Sequence, residues 1–357
     1  MNKIGLYIHV PYCRRKCAYC DFYSLGGEMP GAEYTGAVIR NIRAYGESYD
    51  TVYFGGGTPS LLSSGQVYDI LCAADIAEGA EISAEINPES ADIEKLSGFF
   101  SAGINRISFG VQSLCDRELN ALGRLHDAKT AEAAIKNAHK AGFENISADL
   151  MLGIPCQDES SVKSSIERLC ASGVNHISAY ILKIEEGTPL SLNKELTESC
   201  ADPDKAADLY ELTVNELQGH GLFQYEISNF AQKGRECRHN LKYWQCGEYI
   251  GIGPSAHSLY KGKRFSVPRD IHGFIEADRQ KEIVTDDTPC SLSERIMLAL
   301  RLSEGFELSQ AGSMADRIIK KAAPLEKYGL LTIKDGRIAL TVKGFLVSNE
   351  IICRLTD

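Results

Sequence analysis

Short runs of β-branched and other apolar residues alternate along the chain with longer stretches in which apolar residues recur every three or four positions. The short runs predict strands, and the longer stretches predict amphipathic helices between them. Six strands are predicted, at residues 4–10, 51–56, 81–88, 106–112, 145–153 and 176–183. Strands that alternate with helices in this way predict parallel pairing through right-handed crossovers.

A partial internal repeat supports this interpretation. The segments "SAGINRIS", "KAGFENIS" and "ASGVNHIS" each place a glycine (Gly103, Gly142 and Gly173) at the end of a predicted helix, and Ile-Ser at the start of the next strand. Glycine at that position suits a left-handed helix cap. Six βα units can form either an open sheet or an incomplete barrel, about three quarters of the eight-stranded closure. In both cases the functional residues are expected at the C-terminal ends of the strands.

Polar side chains lie late in three of the predicted strands. Glu85, Gln112 and Asp149 fall near the ends of strands 81–88, 106–112 and 145–153. Burying such groups in a packed interior is costly without polar partners, so they are expected to line a polar ligand. The alternative is that they face outward or satisfy one another.

The segment "YFGGGTPS", residues 53–60, follows the second strand. It has no Gly-Lys-Ser/Thr step and does not match the dinucleotide-binding glycine pattern. Gly55, Gly56 and Gly57 lack Cβ atoms and can present backbone groups to a small ligand, Thr58 adds a hydroxyl, and Pro59 fixes the exit. An ordinary tight turn is the alternative for this segment taken alone.

Three cysteines, Cys13, Cys17 and Cys20, follow the first strand with the spacing C-x3-C-x2-C. This spacing differs from the paired C-x2-C pattern of structural zinc sites. Three thiolates can hold three irons of a [4Fe-4S] cluster and leave the fourth iron open to an external ligand. The alternative is three unrelated buried thiols. Phe22, an apolar neighbour, is expected to cover the site.

Composition and charge indicate the cellular compartment of the protein and the classes of partner that it could bind. The segment "MNKIGLYIHVP" has an apolar run too short to cross a bilayer and no small-residue cleavage site, so we expect a cytoplasmic protein. Its twelve cysteines are then thiols or metal ligands and not a disulfide framework. A net charge of −10 argues against a nucleic-acid partner, since such proteins usually carry a basic surface.

The sequence resembles the radical S-adenosylmethionine (SAM) superfamily. The resemblance rests on the three cysteines, on Tyr19 before the last of them, and on Gly-Gly-Gly-Thr-Pro at residues 55–59. It implies an incomplete (β/α)6 barrel, a TIM-like α/β fold, in which the open iron binds SAM and an electron from the cluster cleaves it to a 5′-deoxyadenosyl radical. The cofactor supplies that chemistry, and the barrel positions it.

Within the superfamily the whole chain resembles the coproporphyrinogen III dehydrogenase-like group. Its motifs occur in order as "LYIHVPYCRRKCAYCDF", "FGGGTPS", "EINPES", "FGVQS", "LGRLHD" and "ADLMLGIP". The resemblance implies that SAM is contacted by Tyr7, Gly56 and Glu85. It further implies that the adjoining nucleoside region is shaped by Tyr19, Gly57, Thr58, Gln112, Arg124 and Asp149.

Two departures separate the chain from the dehydrogenases of this group. Those enzymes carry a further cysteine where Phe22 stands, and a longer segment precedes their first strand. These departures argue against porphyrinogen decarboxylation and leave the expected cluster unaffected.

The segment "HNLKYWQCGEYIGIGPSAHS", residues 239–258, resembles the haem chaperones of the same group, the HemW type. His239 would offer an imidazole to haem iron, and Tyr243 and Trp244 a flat apolar surface to the porphyrin. The alternative is that these residues only pin the segment across the barrel mouth.

The C-terminal residues predict a separate winged-helix-like module. Two amphipathic stretches, a hairpin turned by Asp335 and Gly336, and a last helix follow Ser291. In residues 290–357, ten Lys/Arg against eight Asp/Glu leave a net charge of +2, too little for DNA binding. We predict a barrel at 1–210, a family-specific segment covering the barrel mouth at 211–289, and this module at 290–357.

The predicted function is that of a haem chaperone with a [4Fe-4S] cluster, SAM, and haem as cargo. Expected partners are haem or a porphyrin, a haem-acceptor protein that a membrane could hold, and an electron donor such as a flavodoxin or ferredoxin. The alternative is an oxygen-independent coproporphyrinogen III oxidase, which decarboxylates its substrate to protoporphyrinogen IX. Radical modification of RNA or protein fits the cysteine loop but not the acidic balance.

Overall fold

The structure is a computed structural model that describes residues 4–356. Its strands form a twelve-stranded sheet of order β14-β13-β12-β11-β1-β4-β5-β6-β7-β8-β10-β9, with a three-stranded sheet (β15-β17-β16) and a two-stranded one (β2-β3) beside it. The strands are β1 (Ile4–Val10), β2 (Tyr12–Cys13), β3 (Leu25–Gly26), β4 (Ser48–Gly56), β5 (Asp75–Ile86), β6 (Arg106–Gln112), β7 (Asn145–Leu152), β8 (His176–Ile181), β9 (Phe223–Glu226), β10 (Asn229–Ala231), β11 (Tyr249–Ile252), β12 (His257–Tyr260), β13 (Lys263–Ser266), β14 (Ile283–Asp286), β15 (Phe306–Glu307), β16 (Leu331–Lys334) and β17 (Arg337–Leu340).

Helices cover most of the chain between these strands. They are α1 (Ala32–Tyr45), α2 (Ser64–Cys72), α3 (Ile93–Ala102), α4 (Asp116–Ala121), α5 (Ala128–Ala141), α6 (Glu159–Ala171), α7 (Pro189–Leu192), α8 (Lys194–Glu198), α9 (Pro203–Gly219), α10 (Arg238–Trp244), α11 (Ile271–Glu276), α12 (Leu292–Ala299), α13 (Ala315–Lys327), α14 (Val342–Leu346) and α15 (Ser348–Thr356). Within residues 4–356 no helix has both the length and the apolarity that a membrane span requires.

The six predicted strands are confirmed as β1, β4, β5, β6, β7 and β8. Each pairs in parallel with the next, so the βα units follow one another around the sheet. The predicted glycine caps are also present, because Gly103, Gly142 and Gly173 have φ values of 114°, 102° and 86°. These left-handed conformations end each helix and turn the chain into the next strand.

The sheet curls into the predicted incomplete barrel. Leu6 and Ile8 of β1 join the helices in one apolar core, whereas Tyr7 between them faces the interior. Tyr7 and Tyr180, from β1 and β8, line the same cavity. In a flat sheet these two strands would be about 24 Å apart, five spacings of 4.8 Å, so the shared cavity requires a closed curve.

The segment 211–289 extends both ends of the sheet. β11 lies parallel beside β1 and leads to the antiparallel strands β12, β13 and β14, while β10 and β9 follow β8. α10 packs at the N-terminal ends of the barrel strands, where the Glu81 carboxylate accepts hydrogen bonds from the backbone N–H groups of Arg238 and His239, both at 3.1 Å. A carboxylate at the start of a helix complements the helix dipole. Other residues of the segment line the barrel's interior.

The C-terminal residues contain the predicted elements of a winged-helix-like module. α12 and α13 are followed by the hairpin of β16 and β17, and then by α14 and α15. Asp335 and Gly336 have φ values of 51° and 73°. Positive φ at both central residues is the requirement of the type I′ turn, which explains the Asp-Gly pair. The boundaries proposed for the three regions stay a prediction.

Candidate functional site

The cysteine loop lies at the C-terminal ends of the barrel strands. The Gly57 N–H donates to the carbonyl of Val10 at 2.8 Å, and the Gly27 N–H donates to that of Cys13 at 2.9 Å, so the loop is tied at both ends. Cys13 is buried, Cys17 and Cys20 are half-buried, and all three line a cavity of about 350 Å³. The chain therefore presents three thiols to one cavity.

Polar donors approach two of these sulfur atoms. The Thr58 hydroxyl donates to Cys13 Sγ at 3.5 Å, and Arg124 Nη1 donates to Cys17 Sγ at 3.2 Å. Arg124 Nη2 is in turn held by Asn87 Oδ1 at 2.8 Å and by the Gly110 carbonyl at 2.7 Å. Arg124 is therefore held in a fixed position beside Cys17 Sγ by two further hydrogen bonds.

Two half-buried carboxyl groups face the same cavity. Glu85 accepts hydrogen bonds from the Tyr53 hydroxyl at 3.0 Å and the Gly56 N–H at 3.3 Å, and Asp149 accepts one from the Ser108 hydroxyl at 3.0 Å. Burial, and then the nearby Asp149, raise the pKa of Glu85 to about 7. Burial also raises the pKa of Asp149. A cationic ligand would relieve both carboxyl groups by favouring their charged forms.

Two residues at the cavity, Gln112 and Gly56, have positive φ values. Gln112 has a φ of 68°, a left-handed value that costs energy in a residue other than glycine and is common at functional sites. Gly56 has a φ of 106°, and an added Cβ there would lie 2.7 Å from the His9 ring. At Gly57 an added Cβ would lie 2.6 Å from the Tyr12 carbonyl oxygen. Gly57 therefore provides the close approach of the glycine run to the cysteine loop.

Most of the sequence-predicted cofactor residues come together here. The cavity is lined by Cys13, Cys17, Tyr19, Cys20, Gly56, Gly57, Thr58, Glu85, Gln112, Arg124 and Asp149. No three His, Cys, Asp or Glu side chains in residues 4–356 surround one point as a mononuclear metal site requires. The donor set is three thiols on one loop, which is the ligand chemistry of an iron–sulfur cluster.

A second cavity of about 530 Å³ adjoins the first and shares Phe22, Glu85 and Tyr180 with it. Tyr7 lines this cavity and not the first, and its hydroxyl is 3.0 Å from His9 Nδ1. Phe22, 68% exposed, borders both spaces. Aromatic rings form much of the wall, namely Tyr7, Phe22, Tyr23, Tyr53, Tyr180, Tyr243 and Tyr249.

The three predicted haem residues do not line one common cavity. Tyr243 lines the second cavity, but Trp244 is half-buried and lines neither cavity. His239 is completely buried, with Nδ1 2.9 Å from Thr51 Oγ1 and Nε2 2.8 Å from the Tyr243 hydroxyl. Both ring nitrogens are engaged, so binding of His239 to iron would require one of these two hydrogen bonds to break, and the expectation stays a prediction.

Some lining residues were absent from the sequence-based prediction. Asn87 fixes Arg124, and its signal was its place in "EINPES" directly after the third strand. His176, Ser178 and Tyr180 occupy every second position of one strand, so their side chains lie on the same face of the sheet. This spacing indicated that the side chain of Tyr180 points inward. His257 and Arg269 line the second cavity from outside the six predicted strands, where periodicity carried no signal.

The fold and this site define a radical SAM protein. Residues 7–169 match the radical SAM superfamily, and residues 291–347 match the HemN C-terminal domain. The solved structure of coproporphyrinogen III oxidase (HemN) from Escherichia coli, a radical SAM enzyme, superposes with a TM-score of 0.83 over 99% of this chain and 90% of that one, at 20% identity. This likeness establishes the fold. The superfamily implies a [4Fe-4S] cluster and SAM.

Full-length relatives give the narrower classification. The heme chaperone HemW of Bacillus subtilis (strain 168) is 32% identical, covering 97% of this chain and 97% of its own length. The heme chaperone HemW of Mycobacterium tuberculosis (strain H37Rv) is 33% identical, covering 98% and 93%. That of Escherichia coli (strain K12) is 34% identical, covering 80% of each chain. The chain belongs to the HemW family of haem chaperones.

Proposed function

We propose that the protein is a haem chaperone, which binds haem in the second cavity and delivers it to acceptor proteins. The observation that carries the proposal is the pair of adjoining cavities in a chain of the HemW family. One cavity is lined by three thiols and two carboxyl groups, and the other by aromatic rings. The first suits a cluster with SAM, and the second suits a flat apolar ligand.

The residues of the first cavity have distinct proposed roles. Cys13, Cys17 and Cys20 hold the cluster, with Thr58 and Arg124 donating to two of the sulfur atoms. The half-buried carboxyl groups of Glu85 and Asp149 would face the cationic groups of SAM. The Gly56 N–H holds the Glu85 carboxylate in place, and Tyr19 and Gln112 complete the wall around the nucleoside. When bound, the cluster and SAM supply one-electron chemistry that side chains cannot supply.

The proposal includes three further points. The acceptor is a haem-binding protein in the cytoplasm or held at a membrane surface, which this protein contacts peripherally. A flavodoxin or ferredoxin reduces the cluster. Phe22, which is exposed and lines both cavities, lies at the opening through which haem would pass.

The alternative function is oxygen-independent oxidation of coproporphyrinogen III. One observation favours it, since Glu85 and Tyr180 line both cavities and a porphyrinogen in the second would adjoin SAM in the first. Against it, Phe22 stands where the dehydrogenases have a further cysteine.

Both functions can be tested on one anaerobically reconstituted sample. Coproporphyrinogen III is supplied with SAM and a reductant, and haem is titrated into a second aliquot. The chaperone proposal predicts saturable haem binding, transfer to an apo-acceptor, and no protoporphyrinogen IX. Sustained formation of protoporphyrinogen IX without haem binding would replace the proposal with the oxidase function.

A further inference from the structure

Two cysteines that line neither cavity lie in contact between α10 and the C-terminal module. Cys246 follows the end of α10, and Cys290 directly precedes Ser291, the N-cap residue of α12. Both are half-buried free thiols, and their side chains hydrogen-bond to each other. A disulfide needs two sulfur atoms that can approach to about 2.05 Å, so thiols already in contact need little movement to form one.

Charged groups hold Cys290 in place. The N–H of Cys290 donates to Glu294 Oε2 at 2.6 Å, and the same carboxylate forms an ion pair with Arg264 of β13. The Ser291 hydroxyl accepts a hydrogen bond from the Glu294 N–H at 3.2 Å, which caps α12. A side chain supported by such a network keeps one direction. Cys290 is therefore fixed where β13 meets α12.

The backbone is left-handed at both cysteines. Cys246 has a φ of 53°, and Cys290 has a φ of 65°. After α10 the Gly247 N–H donates to the Lys242 carbonyl at 2.7 Å, so Cys246 takes the left-handed position at a helix end that glycine usually occupies. Such conformations cost energy in other residues and cluster at functional sites. Here the two left-handed residues are the ones whose thiols meet.

Cys156 and Cys200 provide a comparison. Both are half-buried, and the Cys156 N–H donates to the Ser199 carbonyl at 3.3 Å, so their segments are also adjacent. The Cys200 thiol, however, donates to the Leu196 carbonyl at 3.4 Å and is thereby directed towards α8. Adjacent segments alone therefore do not bring two thiols into contact.

We propose that Cys246 and Cys290 form a reversible disulfide when a low-molecular-weight disulfide is in excess over its thiol, and that this bond links α10 to the C-terminal module. Disulfides in a reducing compartment are usually transient and respond to the redox state. No three His, Cys, Asp or Glu side chains in residues 4–356 surround one point, so the pair lacks the further ligands of a structural metal ion. The disulfide does not depend on the proposed haem-chaperone function.

Thiol–disulfide exchange forms the bond in two steps. The Cys290 thiolate attacks one sulfur of the small-molecule disulfide, whose S–S bond breaks and releases the first thiolate. The Cys246 thiolate then attacks the Cys290 sulfur and releases the second thiolate, and the two cysteine protons end on the released thiols. Burial, and then the hydrogen bond with Cys290, raise the pKa of Cys246 to about 12, so the first attack is assigned to Cys290. The cysteine pair is oxidised, and the small molecule is reduced to two thiols.

The bond closes a loop of residues 247–289, which contains the strands β11 to β14 and α11. A cross-link of this span removes conformations from the unfolded chain and so stabilises the folded protein. We expect the midpoint of thermal unfolding to rise by roughly 5 °C. Because α10 and α12 already contact each other, the bond fixes a contact that the reduced protein also has.

The test treats cluster-loaded protein anaerobically with a large excess of oxidised glutathione, so that no oxygen reaches the cluster. The wild type is compared with Cys246→Ser and Cys290→Ser. Cys156→Ser is the matched control, because Cys156 is also half-buried but lies outside the pair. Trypsin separates the two cysteines into residues 243–261 and 282–295, each with one cysteine. The cluster spectrum of each variant checks that the protein is folded.

Mass spectrometry of the wild type should find these two peptides linked, two hydrogens lighter than their sum. The midpoint of thermal unfolding should rise with the link, and dithiothreitol should reverse both changes. Each serine variant of the pair should carry at most one glutathione on its remaining cysteine and show no rise. Cys156→Ser should behave as the wild type does.

Two results would overturn the proposal. In the first, the wild type in excess oxidised glutathione forms no linked peptide, whether Cys246 and Cys290 stay free or each carry glutathione. In the second, the midpoint rises equally in the wild type and in both serine variants of the pair, so that the stabilisation comes from another site. Neither result bears on haem binding, which is measured without an oxidant.

Discussion

The two ends of the barrel use the same residue types for opposite purposes. At the N-terminal ends of the strands, both ring nitrogens of His239 are hydrogen-bonded. The Glu81 carboxylate there accepts hydrogen bonds from two backbone N–H groups of α10. At the C-terminal ends, three thiols and the carboxyl groups of Glu85 and Asp149 face a cavity. Polar groups that satisfy one another hold an element in place, whereas polar groups that converge on open space are arranged for a ligand.

The largest effect is expected from replacing a thiol at the C-terminal ends of the barrel strands. Cys13→Ala should abolish the cluster absorbance of anaerobically reconstituted protein, because two thiolates cannot replace the three-point ligation. Cys72→Ala is the control, since Cys72 is exposed at the end of α2. The contrast would break down if the Cys13 variant kept its cluster, or if the Cys72 variant lost it.

A smaller but still large effect is expected at Gly57. Gly57→Ala places a Cβ 2.6 Å from the Tyr12 carbonyl oxygen, so the cysteine loop must move and most of the cluster should be lost. SAM binding should fall as a consequence of cluster loss. In Gly65→Ala, the matched control, the nearest atom to the added Cβ is 3.9 Å away, and iron content should not change. Full iron content in the Gly57 variant would refute this account of the loop.

At the N-terminal ends of the barrel strands, the expected effect is on the stability of the fold. His239→Ala removes a completely buried ring and leaves the hydroxyls of Thr51 and Tyr243 without their partner. We expect a loss of about 2 to 4 kcal/mol in the free energy of unfolding. Denaturant unfolding measures the loss, with His220→Ala as the control. A variant as stable as the wild type but with an altered haem spectrum would reverse the roles given to the two ends.

The smallest expected effect is the contribution of His239 to the pH dependence of the free energy of unfolding. Burial, then Lys242 and Arg106, lower the pKa of His239 to about 3, against an ordinary value of 6.5. Between these values the unfolded chain binds the extra proton, so His239 should cost stability as the pH falls below about 6.5, by up to about 1.4 kcal/mol per pH unit. Unfolding at pH 5 and pH 8 should show a smaller loss in His239→Gln than in the wild type. Equal losses would mean that the ring is not buried as a neutral group.

The two ends also differ in how far they could be predicted from sequence. The cysteine spacing, the glycine run and Glu85 are local features at the ends of strands with clear periodicity, and they do meet at one edge of the barrel. The placement of His239 depends on Glu81, which is 158 residues away. The strand β11 likewise pairs with β1 across most of the chain. Local periodicity does not encode such long-range pairings, so the motif around His239 could not be told from a ligand site.

The two adjoining cavities are proposed to hold two different occupants at the same time. The most direct measurement is a haem titration of cluster-loaded protein in the presence of labelled SAM, with absorbance and SAM retention read together. We expect one haem per chain, an unchanged cluster spectrum, and SAM still bound at saturation. Displacement of SAM by haem in equal amounts, or haem uptake without a fixed stoichiometry, would contradict it.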